Sequence, residues 1–356
     1  MNVHIGYLDF ARVGPIAPEV VATLADAAAL LSRDPAAALA RLERTAAGAR
    51  QSAARLLRCA VHEVAFASST SHGLFAAAAA LRADGVVLVR RGEFPANVVP
   101  WLRMQELGGL RVRWIDAAHV TPDVVRAHLD GEVRALTVSA VDAFTGHRPA
   151  LGALKDVLGP DRTLVVDAIQ GLGAVPLEVE AADVLASGGQ KWLRAGWGAA
   201  LLMVRDRAAD RLHPALGGWS GLRNPFSSLE EARGAVAHTM TNPDLQAVAA
   251  LGTAIDLVLT TGEKTIGSRI AATLDALLEA AASAGAEVAV ADDRAGIARL
   301  RHRGRDPARL HDAMTAAGLT TTLRDGWIRL SPHATTPATA AALLTQALHT
   351  TDKDTP

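Results

Sequence analysis

The sequence holds a single cysteine, Cys59, in 356 residues. That excludes an intrachain disulfide and any cysteine-rich metal centre. Aromatic residues make up only 4% of the chain, so each one near a motif carries weight. An excess of charge of either sign is also missing: 36 Lys and Arg stand against 37 Asp and Glu, for a formal net charge of −1. This balance gives no electrostatic reason to expect nucleic acid or an anionic membrane as partner. No charge-free apolar run is long enough for a membrane span. The start, MNVHIGYLDF, has neither the basic nor the apolar segment of a secretory leader. The expectation is a soluble, cytoplasmic protein. Common site fingerprints are absent as well. Gly171-Leu172-Gly173 lacks the third glycine and the helix of a dinucleotide loop. No G-x-x-x-x-G-K-[ST], H-E-x-x-H or G-x-S-x-G occurs. The 12 histidines show no ligand spacing, and no metal is expected.

What is present is alternation. After an irregular arm (1–17), helical periodicity covers 18–32 and 35–59, the second opened by Asp34 and Pro35. Short apolar runs at 63–67, 85–90, 110–115, 133–139 and 163–167 read as strands. Helical segments at 74–82, 96–107, 122–129 and 151–158 fall between them. Strands and helices in turn predict a mostly parallel, doubly wound α/β sheet. The run 199–204 follows residues 183–191 with no room for a crossover helix, so it is expected to be antiparallel. A long Gly/Pro/Ser-rich connection at 211–236 has the length of a functional or interfacial loop. Two long helices, 244–260 and 266–284, lead to a smaller α+β unit: strands at 286–290 and 296–302, helix 307–317, two strands across 320–331 and helix 337–348. The polar tail 350–356 is expected to fray. The expected division is arm 1–17, large domain 18–255 and small C-terminal domain 256–356.

Two polar residues close apolar runs. Leu164-Val165-Val166 ends at Asp167, and Asp183-Val184-Leu185-Ala186 leads through Ser187-Gly188-Gly189-Gln190 to Lys191. Ligands of open α/β sheets sit beyond the carboxyl ends of the parallel strands. A carboxylate and an amine delivered to one crevice suit pyridoxal phosphate (PLP), which needs an anion at its ring nitrogen and a lysine for a Schiff base. The plainer readings are a turn cap for Asp167 and a solvated surface lysine for Lys191. Glycines on one side of Lys191 and Trp192-Leu193 on the other argue against the latter.

Other residues carry two readings. Ser68-Ser69-Thr70-Ser71 lies between a strand and a helix and is either an anion cup or an ordinary N-cap. Phe94 is either core or a face that stacks on a flat ring. Arg329, in Trp327-Ile328-Arg329-Leu330-Ser331, is either an exposed strand arginine or a carboxylate grip.

Val165-Val166-Asp167-Ala168-Ile169-Gln170-Gly171 and Ser187-Gly188-Gly189-Gln190-Lys191-Trp192 resemble the class V aminotransferase family of fold-type I PLP enzymes. This group includes cysteine desulfurases, kynureninases and isopenicillin-N-epimerase-like proteins. The resemblance runs from Tyr7-Leu8-Asp9 to Ser331-Pro332-His333. It implies that Lys191 is the Schiff-base lysine and proton shuttle, that Asp167 holds the pyridinium nitrogen, and that Gln170 bonds the ring hydroxyl. Thr70 and Ser71 would hold the phosphate, with Gln190 beside the lysine also at the cofactor. Phe94 matches the ring-stacking position, and Arg329 matches the residue that grips the substrate carboxylate. Thr241 resembles a segment that reaches the phosphate of a partner subunit, and Trp219 would do likewise, which implies a homodimer with shared sites.

The departures matter. Gln190 stands where a His is common, Gly188 where a phosphate-binding Ser is common, and Ser69 at a glycine position. A desulfurase carries its cysteine on a mobile C-terminal loop, whereas Cys59 falls in a helix ahead of the phosphate turn. Asp142, by the Thr145-Gly146 turn, is a further candidate to face the ring. The implied function is PLP-dependent chemistry at Cα of a small amino acid through an external aldimine, in the first place transamination. A β-eliminating C–S lyase or an epimerase is the alternative, and a non-catalytic PLP-binding protein ranks below both.

Overall fold

The computed structural model describes residues 5–81 and 84–350. The tail expectation for 351–356 and the first four residues lie outside the described residues. Helices α1 (Pro18–Arg33) and α2 (Pro35–Leu56) each start on a proline, whose missing N–H costs nothing in a first turn. Asp34 caps α2 by accepting from Ala37 N at 3.0 Å. Strand β1 (Val64–Ala67) leads into α3 (Thr70–Ala80), then β2 (Val86–Arg90), α4 (Val99–Glu106), β3 (Arg111–Ile115), α5 (Pro122–His128) and β4 (Val133–Ser139). Helix α6 (Leu151–Leu158), β5 (Thr163–Asp167), β6 (Val184–Gly188) and β7 (Ala200–Val204) complete the large layer.

These seven strands form one sheet in the order β1-β7-β6-β5-β4-β2-β3. β3, β2, β4, β5 and β6 run parallel, and β7 pairs antiparallel with both β6 and β1, as the missing crossover required. Every residue of β5, β6 and β7 is buried, which is why these strands read as unbroken apolar runs. The helix expected over 96–107 is shorter. A 3-10 turn occupies Pro95–Asn97 and α4 begins only at Val99, because Pro100 has no N–H to bond back into the preceding turn. The helix expected to reach Cys59 stops at Leu56, with Arg58 at φ 49° in the left-handed region.

Helices α7 (Leu245–Thr261) and α8 (Glu263–Ser283) connect to a second sheet built from β8 (Glu287–Ala289), β9 (Ala298–Arg301), β10 (Thr322–Arg324) and β11 (Trp327–Leu330). Its order is β10-β11-β9-β8, all antiparallel, with α9 (Pro307–Ala316) and α10 (Ala340–Thr350) in the same unit. The β10–β11 hairpin turns on Asp325-Gly326, with φ of 50° and 75°, the positive pair that a tight two-residue turn demands. Most buried apolar residues from Leu274 onward form their own core with Leu8 of the arm, while Ala295 and Ile297 join the core around β5 and β6. The arm is fastened to this second unit by bridges Tyr7–Thr320 and Asp9–Ser331. Among the described residues no single helix is long and apolar enough to cross a membrane; α7 and α8 qualify only as a pair bent by 82°.

Candidate active site

The parallel register brings the polar strand ends together. Ser139 of β4 lies opposite Asp167 of β5, and Asp167 lies opposite Ala186 of β6. The carboxyl ends of three neighbouring strands therefore open on one crevice, where a cavity of about 430 Å³ is lined by Asp167, Lys191, Gln170, Gln190, Phe94, Arg329 and the Ser69-Thr70-Ser71 turn.

Asp167 is 2% exposed, and its Oδ1 accepts from Ile169 N at 3.1 Å. Burial pushes its carboxyl up to about 6, against the Ile169 N–H and the Lys191 ammonium, which pull it down. Lys191 follows β6, and its backbone is clamped by the arm. Gly14 N donates to Gln190 O at 2.8 Å, and a Cβ on Gly14 would stand 2.1 Å from Lys191 O, so only glycine lets the arm pass. Burial pulls the Lys191 amine down to about 8, partly opposed by Asp167 and Asp9. Its Nζ lies over the Phe94 ring, 5.6 Å from the centroid. An amine so shifted is about one-tenth neutral and nucleophilic at pH 7, far more than an ordinary lysine.

The opposite wall is the N-terminus of α3. Ser69 is its cap, accepting from His72 N at 3.1 Å, which leaves the first helical amides of Thr70 and Ser71 free of intrahelical partners. This end sits close to β6 because Gly73 has no side chain: a Cβ there would meet the Ala186 Cβ at 2.9 Å. Thr70 Oγ1 accepts from Gly188 N at 2.8 Å, tying the helix to the lysine turn. Gly188 leaves room for the Gln190 amide, since a Cβ there would fall 2.3 Å from Gln190 Oε1 and the side chain would have to move. Ser69 is thus an ordinary cap, and Ser69, Thr70 and Ser71 all line the cavity.

Arg329 is 8% exposed rather than an open strand arginine. Nη2 donates to Asp9 Oδ1 at 2.9 Å and Nη1 to Ala143 O at 2.9 Å, while its buried Nε has no partner among the described residues. Arg329 also lines the cavity, and a guanidinium is the group whose fork matches a carboxylate.

Other expected positions differ. Gln170 is committed to protein at both ends of its amide: Nε2 donates to Ala11 O and Oε1 accepts from Trp192 Nε1, both at 2.9 Å. One N–H of Nε2 is left for the cavity it lines. Asp142 does not line the cavity. It accepts from Phe144 N and Thr145 N and pairs with Arg90, so it holds the 142–146 turn instead of facing a ring. Trp219, 48% exposed, and Thr241 also stand away from the cavity in this single chain. Cys59 lies in the turn after α2, and burial pushes its thiol up to about 11.

Sequence reading missed several participants. Glu93 is 8% exposed, accepts from Ser139 Oγ at 2.6 Å and helps to raise Asp167. Its position just past β2 was the available signal. Asp9 was legible only as part of a motif, because its partner lies at the far end of the chain. Arg12, Trp197 and Arg324 also line the cavity, and no local pattern marks them.

A family model for aminotransferase class-V matches residues 7–326. A kynureninase of Deinococcus radiodurans is 32% identical over 215 residues, which covers 57% of this chain and 51% of that protein, about half its length. An uncharacterized aminotransferase of Bacillus subtilis, YcbU, is 27% identical over 294 residues, 80% of this chain and 78% of that protein. Among solved structures, the cystine C–S lyase C-DES in complex with its product cysteine persulfide superposes with a TM-score of 0.88 at 17% identity, covering 96% of this chain and 97% of that one. The latter likeness is one of fold, the fold-type I architecture with its mostly parallel sheet. With a model match across nearly the whole sequence, the chain belongs to the class-V aminotransferase family.

Proposed function

We propose that this chain is a PLP-dependent enzyme acting at Cα of a small amino acid, with transamination as its reaction. The observation that carries the reading is the meeting of Asp167 and Lys191 across a cavity that also holds the Phe94 ring and the free amides of α3. The residues fit the cofactor in kind. Asp167 would hold the ring nitrogen, since a carboxylate this buried gains from a cationic N–H beside it. Thr70, Ser71 and Gln190 would hold the phosphate at the positive end of α3. Phe94 offers a face to the ring, and the spare N–H of Gln170 an edge contact. When bound, PLP supplies an electron sink for the carbanion formed at Cα.

The chain's own groups do the rest. Lys191, lowered to about 8, offers a neutral amine as nucleophile and as base for the Cα proton. Arg329, which lines the cavity, would orient the substrate carboxylate through the Nη N–H groups left over from Ala143 and Asp9. Thr241 and Trp219 would reach the phosphate from a second copy of the chain, in a homodimer. Trp219, Phe226 (98% exposed) and Leu229 (86% exposed) support such an interface, because large apolar side chains this open call for a cover. The division into arm 1–17, large domain 18–255 and small domain 256–356 belongs to the same reading, supported by a second core that runs from Leu274 to Leu348, although Val258, Ile266, Ile270, Ala295 and Ile297 pack in the large one. A cytoplasmic location is part of it too.

The test is to load the protein with PLP, reduce it with borohydride and map the label by mass spectrometry. Label on Lys191 is expected, and its absence, or failure to take up PLP, sinks the proposal. A panel of amino acids and cysteine conjugates then separates the reactions. An oxo acid with pyridoxamine phosphate marks transamination; pyruvate, ammonia and a thiol mark β-elimination; inverted configuration at Cα marks epimerisation.

A further inference from the structure

The charged residues lining the cavity do not cancel. Four are cations, Arg12, Lys191, Arg324 and Arg329, and one is an anion, Asp167. Asp167 acts on Lys191, and Asp9 just outside the lining takes Arg329 at 2.9 Å. Arg12 and Arg324 remain. Among the described residues, the carboxylate paired with Arg324 is that of its chain neighbour Asp325, 3.4 Å away and 87% exposed, a contact that water screens.

Arg324 is nevertheless held. Its guanidinium lies over the Phe144 ring, 3.8 Å from the centroid. Arg329 donates to the carbonyl of the preceding residue, Ala143. One dipeptide, 143–144, thus positions both guanidiniums. The hairpin does so as well. Thr322 lies opposite Arg329 in the β10–β11 register, and Arg324, two residues on, shares the face of Thr322. Such diagonal neighbours stand roughly 7–8 Å apart. The pair sits on the small sheet, whereas the Ser69–Ser71 amides belong to the large one, so a phosphate at α3 leaves Arg324 unspent.

We propose that the amino-acid substrate bears a second anionic group at the end of its side chain, and that Arg324 reads it beside the α-carboxylate, with Arg12 at the same cavity. This rests on the proposed function of the site. A planar guanidinium stacked on an aromatic face keeps its N–H edge free for an oxyanion, which a lysine there would not match. The shared ligand chemistry is an acidic amino acid with a carboxylate, sulfonate or phosphonate terminus.

The test uses the PLP-loaded enzyme. Values of kcat/KM are compared for L-aspartate and L-glutamate against L-asparagine and L-glutamine, with sulfonate- and phosphonate-ended homologues in the same panel to identify the anion. Binding of maleate against crotonate, both unreactive, gives a readout independent of turnover. The wild type is expected to favour the acid over its amide, and maleate over crotonate, by at least about tenfold. Arg324→Gln should bring both ratios close to one and Arg324→Lys should restore them only in part, while Arg303→Gln, on an 86% exposed side chain, should keep them. Equal use of acid and amide by the wild type, or an unchanged ratio in Arg324→Gln, overturns the proposal. If Lys191 takes no cofactor, the functional reading falls first; if it does and neutral amino acids are preferred, only this inference falls.

Discussion

Arg329 Nη2 donates to Asp9 Oδ1 at 2.9 Å, an ion pair between residues 320 apart in sequence and both almost fully buried. It joins the arm to β11 at the cavity wall. Thr322 Oγ1 donates to the same carboxylate, at 3.0 Å to Oδ1 and 2.9 Å to Oδ2. Removing one member of such a pair leaves the other charge buried and uncompensated.

Asp9→Ala is therefore expected to destabilise the fold by about 3 kcal/mol, a loss typical of breaking a buried pair. The urea midpoint at pH 7 measures it. The substitution should also loosen the arm, visible as faster hydrogen exchange at Leu8 and Phe10, whose amides bond to Thr320 and Ser331. A change below about 0.5 kcal/mol, the range of an exposed pair, contradicts the account.

The pH dependence of the cofactor-free protein follows from Asp167. Its carboxyl is raised from 3.8 to about 6, chiefly by burial. Between these values the folded state binds more protons than the unfolded one, so stability falls as pH rises through the window. Above it the cost is fully present, roughly 3 kcal/mol. Asp167→Asn removes this titration and should raise the melting temperature relative to wild type above pH 6, with the gap closing towards pH 4. Loss of the carboxylate also removes an attraction that supports the Lys191 ammonium, so the net gain is smaller than the carboxylate's own share. The Lys191 penalty runs the other way: it is complete below about 8 and is relieved as pH rises towards 10.5. An Asn variant less stable than wild type at pH 7.5 would show that Asp167 is not a strained, buried charge.

The sequence made the large sheet legible because its central strands β5 and β6 are buried on both faces and lead to residues that are conspicuous there. The arm has no apolar run comparable to Leu164-Val165-Val166, so its docking was not legible: Asp9 meets Arg329, and Gly14 meets the Lys191 carbonyl, only through long-range contacts. Asp167, Lys191 and the Ser-rich turn announce themselves at strand ends. Arg324 does not, because a single arginine on a three-residue strand carries no period, and its direction is fixed by Phe144 far away in sequence. Asp142 misled for a related reason. It stands three residues past the end of β4, whereas Asp167 closes β5 itself, and Phe144 N and Thr145 N turn it into a cap.

Gln170 is a structural link as much as a cavity residue. Gln170→Ala leaves the Trp192 indole N–H, at 1% exposure, and the Ala11 carbonyl without partners. A cost of about 1–3 kcal/mol is expected, the usual penalty for an orphaned buried group. The emission of Trp192 should shift even without cofactor. Full stability of the variant, with loss confined to cofactor binding, would show that the amide serves only the ligand.

Gly188 and Gln190 form the most local test of the cradle. A Cβ at Gly188 would stand 2.3 Å from Gln190 Oε1 and 3.1 Å from Thr70 Oγ1. Gly188→Ala must therefore expel the Gln190 amide and strain the Gly188 N–H bond to Thr70, which measures 2.8 Å. Because that bond sets the distance between α3 and the lysine turn, PLP affinity should fall about tenfold, or roughly 1.4 kcal/mol. Gln190→Ala alone removes the obstructing amide and the contact proposed for it at the phosphate end. If the clash is the cause, the double variant binds more tightly than Gly188→Ala alone, a coupling of the sign expected for neighbours in contact. Equilibrium titration with PLP at fixed pH reads all four proteins. Additive losses would mean that the two positions act separately and that the glycine is required for some other contact.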